Sequence, residues 1–131
     1  MTTLRLYKKE KLCSLTAIER LFATRTAKCS CMAYPWRAVW HFRNDDDSRR
    51  ADCPQFIITV PKRKLRHAVD RVRMRRLMRE AYRLNRHLIP QDCRRVDIAF
   101  IYVAPKLTDY DLTVRSLEKI LDRLARSHSE P

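Results

Sequence analysis

Between Val60 and His87 the chain reads VPKRKLRHAVDRVRMRRLMREAYRLNRH. Eleven of these residues are cationic: Lys62, Arg63, Lys64, Arg66, Arg71, Arg73, Arg75, Arg76, Arg79, Arg83 and Arg86, opposed only by Asp70 and Glu80. The chemistry open to such a set is anion recognition, because guanidinium forks match paired phosphate oxygens and lysines add point charge. On a helix starting near Ala68, Arg71, Arg75, Arg79 and Arg86 run along one stripe, with Arg76 and Arg83 on its flank. Met74, Leu77, Met78, Ala81, Leu84 and Leu88 form a separate apolar stripe. A helix buried along one side and lined with arginines on the other suits a polyanion, and without one its like charges repel uncompensated. Lys62, Arg63 and Lys64 fall at the strand–helix junction, a natural anion site near a helix N-terminus. Arg66 and His67 continue that run, and His67 at the helix start can also serve as a cap.

Other chemistries find less support. Asp45, Asp46 and Asp47, with Asp52, sit in a connecting loop and read as a solvated turn rather than a metal site. His41, His67, His87 and His128 lack ligand spacing, and none pairs with a Ser or Cys nucleophile. A protein nuclease needs acid–base residues or paired carboxylates in a cleft. The carboxylates here cluster in one loop and scatter elsewhere, so no catalytic residue is assigned. The five cysteines (Cys13, Cys29, Cys31, Cys53, Cys93) are odd in number, and Cys29 and Cys31 are too close for an ordinary zinc pair. They read as reduced, unliganded thiols. Glycine is absent, which removes the glycine-rich phosphate loops and most nucleotide-dependent enzyme classes.

A net charge of +14 and a pI near 10.2 imply an acidic partner. Nucleic acid is favoured over a membrane, since the basic helix carries no Trp or Phe on its apolar face to anchor it in lipid. No run approaches the ~18 apolar residues of a membrane span, and MTTLRLYKKEKLC lacks a signal-peptide core; a cytoplasmic location is expected. The 131 residues, 45% apolar, read as one domain over 1–131 with a modest core.

The basic helix must be positioned by the elements around it. Residues 1–13 read as a basic arm, and Ser14 can cap a helix over Thr16–Ala23. Residues 24–36 read as a loop. Arg37–Arg43 reads as a strand with Ala38, Trp40 and Phe42 on one face. Asn44–Pro54 is a polar loop and Gln55–Val60 a β-branched strand. The basic helix stops before Pro90. Val96–Val103 is the clearest strand, and Thr108 or Asp109 can cap a last helix carrying Leu117, Ile120, Leu121 and Leu124. The order α-β-β-α-β-α predicts an α+β fold, an α/β sandwich with one mixed sheet packed against helices. Phe22 and Trp40 are candidates for stacking on unpaired bases, a contact of about 1–3 kcal/mol per base. Leu15, Ile18 and Phe22 also fit a buried stripe, and both readings stand.

Taken together, HAVDRVRMRRLMREAY (His67–Tyr82) resembles the signature helix of the bacterial ribonuclease P protein subunit, whose pattern is close to NAV-x-RN-x-x-KR-x-x-RE. Upstream, VPKR (Val60–Arg63) resembles the family's SxxK segment after a strand. KEKLCSLTAIERLF (Lys9–Phe22) resembles its entry into the first helix, and WRAVWHF (Trp36–Phe42) its first strand. The resemblance covers essentially the whole chain in order. One departure is Val72 where the family has Asn, so hydrogen bonds made from that position are lost; Arg75 replaces a family lysine and keeps the charge.

The resemblance implies a protein cofactor of a catalytic RNA. That RNA removes the 5′ leader of precursor tRNA by hydrolysis, leaving a 5′-phosphate, with magnesium ions bound mainly by the RNA. Lys62, Arg63, Lys64, Arg66, His67, Arg71, Arg73, Arg75, Arg76 and Arg79 are then the residues expected on RNA. Ile18, Phe22 and Trp40 match the lining of a cleft for the single-stranded leader. The expected partners are the catalytic RNA and precursor tRNA, with no membrane and no obligate protein. The resemblance also implies a left-handed βαβ crossover. A non-catalytic ribosomal or assembly protein would share the charge and the stripe but not the signature order.

Overall fold

The computed structural model describes residues 10–12, 18–19, 21, 29–42, 53–90, 93 and 95–129, the last two by backbone only. Strands β1 (Ser30–Ala33), β2 (Trp36–Phe42), β3 (Gln55–Thr59) and β4 (Val96–Tyr102) form one sheet in the order β1-β2-β4-β3. β1 and β2 are an antiparallel hairpin, β2 and β4 are antiparallel, and β3 and β4 are parallel. Helix α1 (Ala68–Asn85) connects β3 to β4, and α2 (Tyr110–Ser129) follows β4.

β2 and β4 alternate as two-sided strands must. Trp36, Ala38 and Trp40 pack with Ile98, Phe100 and Tyr102 toward the helices, meeting Met74, Met78, Ala81 and Tyr82 of α1 and Leu117, Ile120, Leu121 and Leu124 of α2. The opposite face carries Val39 and Ala99, buried under Leu12 and Leu21, with Ile18, Ile57 and Ile101 at its margin. Residues 18, 19 and 21 are helical, within the expected first helix.

α2 is tied to the sheet by polar groups on its buried side, each satisfied as a buried polar group requires. Trp36 Nε1 donates to Thr113 Oγ1 at 3.2 Å, Trp40 Nε1 donates to Ser127 Oγ at 3.0 Å, and Ser116 Oγ donates to the Ala33 carbonyl. Asp109 caps the helix, accepting from Leu112 N–H at 2.9 Å. Thr108 instead meets the Tyr102 hydroxyl at 3.0 Å.

The basic helix stops before Pro90 as expected, while the loop over 24–36 and the apolar stripe of that helix need correction. The segment read as a loop over 24–36 contains β1, whose SCMA sequence has no β-branched residue; it is a strand because it pairs with β2. The basic helix ends at Asn85 and passes into a 3-10 turn over Arg86–Leu88. That turn breaks the apolar spacing, so Leu88 is 44% exposed and Leu84 half-buried, while Tyr82 takes the core position.

The hand of the β3–α1–β4 crossover follows from three contacts. Phe56 faces α1, its ring 4.2 Å from that of Tyr82. Its carbonyl points away from β4 and accepts from Leu12 N–H at 3.0 Å on the outer edge of β3. For an L-residue seen from its side chain with the strand running upward, the carbonyl points right. β4 therefore lies to the left while α1 passes in front, and the crossover is left-handed, against a rule obeyed in about 98% of such units.

Candidate nucleic-acid interface

α1 buries Met74, Met78, Ala81 and Tyr82, so the arc opposite them faces solvent. Arg73, Arg75, Arg76 and Arg79 are exposed on that arc, and none of the four is in an ion pair among the described residues. Glu80, the one acid among them, is occupied by Arg83, whose Nε lies 3.1 Å and NH2 2.5 Å from its carboxylate. That hydrogen bonding holds the Glu80 carboxyl below its ordinary range. Val72 is half-buried near the centre of this arc, about one turn from Arg75 and Arg76 and two turns from Arg79.

The expected stripe is not uniform along its length. Arg86, at its end, is turned inward: NH1 donates to both oxygens of Glu10 at 2.6 and 2.5 Å, and the two side chains are 18% and 7% exposed. Arg71, at its start, donates from NH1 to the carbonyls of Leu65 and Arg66, each at 2.9 Å. The free cations of the helix are therefore its middle residues, held rigidly by a buried opposite side.

The junction before α1 is a compact turn. Lys64 N–H and Leu65 N–H both donate to the Pro61 carbonyl, at 3.0 and 3.3 Å, and Leu65, 5% exposed, plugs the turn into the core. Lys62, Arg63, Arg66 and His67 are exposed around it, and Lys64 is half-buried. His67 takes the N-cap position, but its side chain makes no capping hydrogen bond, which removes the cap reading.

The expected leader-cleft residues separate. Trp40 is fully buried on the helix side of the sheet with its indole N–H committed to Ser127, so it lines no cleft on the opposite face. Its own strand explains this: Ala38 and Trp40 share one side, and Val39 takes the other. Ile18 is half-buried against the Leu12–Leu21–Val39–Ala99 cluster. Phe22 lies outside the described residues.

What that face does present was missed. Across one rung run Met32, Arg37, Ile101 and Thr59, with Met32 62% exposed and Arg37 exposed. The alternation of WRAVWHF carried this signal, since Arg37 and Val39 must oppose Trp36, Ala38 and Trp40.

Among the described residues no group of three His, Cys, Asp or Glu could hold a metal ion; Asp45–Asp47 lie outside them. Cys29, Cys31, Cys53 and Cys93 form no disulfide among the described residues, and burial pushes the Cys31 thiol up despite the nearby Arg123 and Lys119. No helix among the described residues is long and apolar enough to cross a membrane.

A basic helix with exposed arginines along its middle, a left-handed crossover and a sheet face carrying exposed Met32 and Arg37 now stand together. The family model for ribonuclease P matches residues 6–125. The chain belongs to the ribonuclease P protein family. A ribonuclease P protein component of Porphyromonas gingivalis is 34% identical over 127 residues, covering 94% of this chain and 88% of that protein. One from Escherichia coli is 37% identical over 75 residues, 57% of each chain. Among solved structures, the RNase P protein of Thermotoga maritima superposes with a TM-score of 0.66 at 19% identity, covering 87% of this chain and 96% of that one. The Staphylococcus aureus protein gives 0.64 at 20%, covering 86% and 93%. At these identities the two structures bear on the fold, which they share.

Proposed function

We propose that this chain is the protein subunit of ribonuclease P and that it docks on the catalytic RNA through α1 and the turn before it. The observation that carries this is the set of four unpaired arginines, Arg73, Arg75, Arg76 and Arg79, on the solvent arc of a helix whose other side is core. Lys62, Arg63, Lys64, Arg66 and His67 extend the contact at the N-terminal end of α1. In this reading the chain's own residues bind and orient RNA. Magnesium would be held mainly by the RNA, where it would serve to activate water, so hydrolysis of the leader phosphodiester would belong to the RNA and no residue of this chain is assigned to it.

The same reading places the single-stranded leader of precursor tRNA on the sheet face opposite the helices, against Ile18 and Ile101 at the margin of the buried Leu12–Leu21–Val39–Ala99 cluster, with Arg37 beside them. The apolar surface suits bases of any sequence, and the arginine suits the backbone. The half-buried Val72 adds apolar contact but no hydrogen bond.

The test is precursor-tRNA cleavage at low magnesium with a bacterial ribonuclease P RNA, comparing RNA alone, RNA with this protein, and protein alone. Acceleration only in the mixture supports the reading. Cleavage by the protein alone, or RNA binding without acceleration, overturns it, the latter leaving a general RNA-binding module.

A further inference from the structure

We propose that Arg71 is a positioning residue that acts through the Pro61–His67 turn, presenting its cations to RNA, rather than a phosphate contact. The proposal rests on the reading of α1 as an RNA-facing helix. Arg71 NH1 donates to two successive carbonyls, Leu65 and Arg66, at 2.9 Å each. Among the described residues no backbone N–H donates to either of these carbonyls; the turn's own backbone bonds run from Lys64 and Leu65 N–H to the Pro61 carbonyl, and the first N–H groups of α1 go to the His67 carbonyl. His67 contributes no side-chain cap. Among the described residues the Arg71 guanidinium is thus the one side chain recorded as reaching back from α1 to the backbone of the turn. Four cations ride on that backbone: Lys62, Arg63, Lys64 and Arg66. Fixing it before RNA arrives removes an ordering cost from binding.

The experiment compares Arg71→Ala with Arg75→Ala in the full chain, on two readouts. The first is the slope of log affinity for ribonuclease P RNA against log salt. Losing one phosphate contact changes that slope by about 0.7–0.9; Arg75→Ala is expected to do this. Arg71→Ala is expected to change it by about two or more, because several turn cations lose register together. The second readout is hydrogen exchange of the Lys64 and Leu65 amides in the free protein. Arg71→Ala should speed it by about tenfold while the α1 interior amides keep their protection.

Arg71→Lys keeps the charge and the fold but loses the planar fork, and it should still show the faster exchange. A slope change equal to that of Arg75→Ala with protected turn amides would make Arg71 an ordinary phosphate contact. An unchanged slope and unchanged exchange would assign it neither role. If the wild-type chain shows no salt-dependent RNA binding, the functional reading falls, whereas the exchange result alone decides whether the clamp exists.

Discussion

Replacing Arg86 by methionine removes a guanidinium that the sequence places on the RNA stripe and the structure places inside the protein. NH1 lies 2.6 and 2.5 Å from the two Glu10 oxygens, and Glu10 is 7% exposed. Removing one member of a buried pair weakens the compensation of the other charge, at about 3–5 kcal/mol. Arg86 keeps 18% exposure, so some water reaches the site and about 3 kcal/mol is the working figure. For a domain of this size that lowers Tm by roughly 10 °C. Glu10→Leu, which leaves the cation, should cost about as much or somewhat less. Combining Arg86→Met with Glu10→Leu should recover part of the loss, with a coupling of at least about 1.5 kcal/mol in a double-mutant cycle. The assay is urea unfolding of the four proteins, with the salt slope of RNA binding measured below the unfolding range. The reasoning is refuted if the single changes each cost under about 0.5 kcal/mol and add independently, the behaviour of a solvent-exposed pair. A drop of nearly one in the salt slope at unchanged stability would return Arg86 to the RNA-facing stripe.

Trp40→Phe should cost about 2–3 kcal/mol, from the lost indole bond to Ser127 and the space left behind, with leader affinity unchanged. Correspondingly, acrylamide should quench the fluorescence of Trp36 and Trp40 equally poorly with and without leader RNA, and protection appearing only on RNA addition would show that a tryptophan faces the cleft. Tyr82→Phe should be neutral or slightly stabilising in urea unfolding, since the hydroxyl is buried without a hydrogen-bond partner in the structure. Burial also pushes the Tyr82 phenol far above its ordinary value of 10. The folded state therefore resists ionisation while the unfolded state ionises, and wild-type stability should fall as pH rises above 10. Tyr82→Phe should flatten that fall, and an identical alkaline profile in the mutant would refute the assignment. Val72→Asn should shift stability by no more than about 1 kcal/mol, because the side chain is half-buried on the solvent arc; a larger loss would mean that Val72 packs as core.

α1, β4 and α2 are legible in the sequence because each carries its own period: the Met74–Met78–Ala81 side against the arginines, the VDIAFIY run, and the Leu117–Ile120–Leu121–Leu124 spacing. β1 is not, because SCMA has no alternation of its own and becomes a strand only through its partner. The middle arginines of the interface are readable from charge alone. The inward turn of Arg86 is not, since its counter-charge lies 76 positions away, and charge patterning on one helix says nothing about distant acids. Nor is the use of Arg71, whose acceptors are backbone carbonyls and leave no residue-type signal. Trp40 shows a different limit. A buried tryptophan and a stacking tryptophan look alike as letters, and only its alternation with Val39, once the covered side is known, separates them.

The position of β4 governs when this protein can fold as it is made. β1 and β2 touch each other but not β3, and β4 is inserted between them. Until Tyr102 has left the ribosome, the hairpin and β3 have no shared strand, and α1 has only part of a floor to bury Met74 and Met78 against. At about 5–20 residues per second the arginine helix is completed roughly 1–3 seconds before its fold can close. During that interval the most basic part of the chain is a nascent, incompletely packed helix beside ribosomal RNA, and the arrival of one late central strand converts it into a surface with a defined shape.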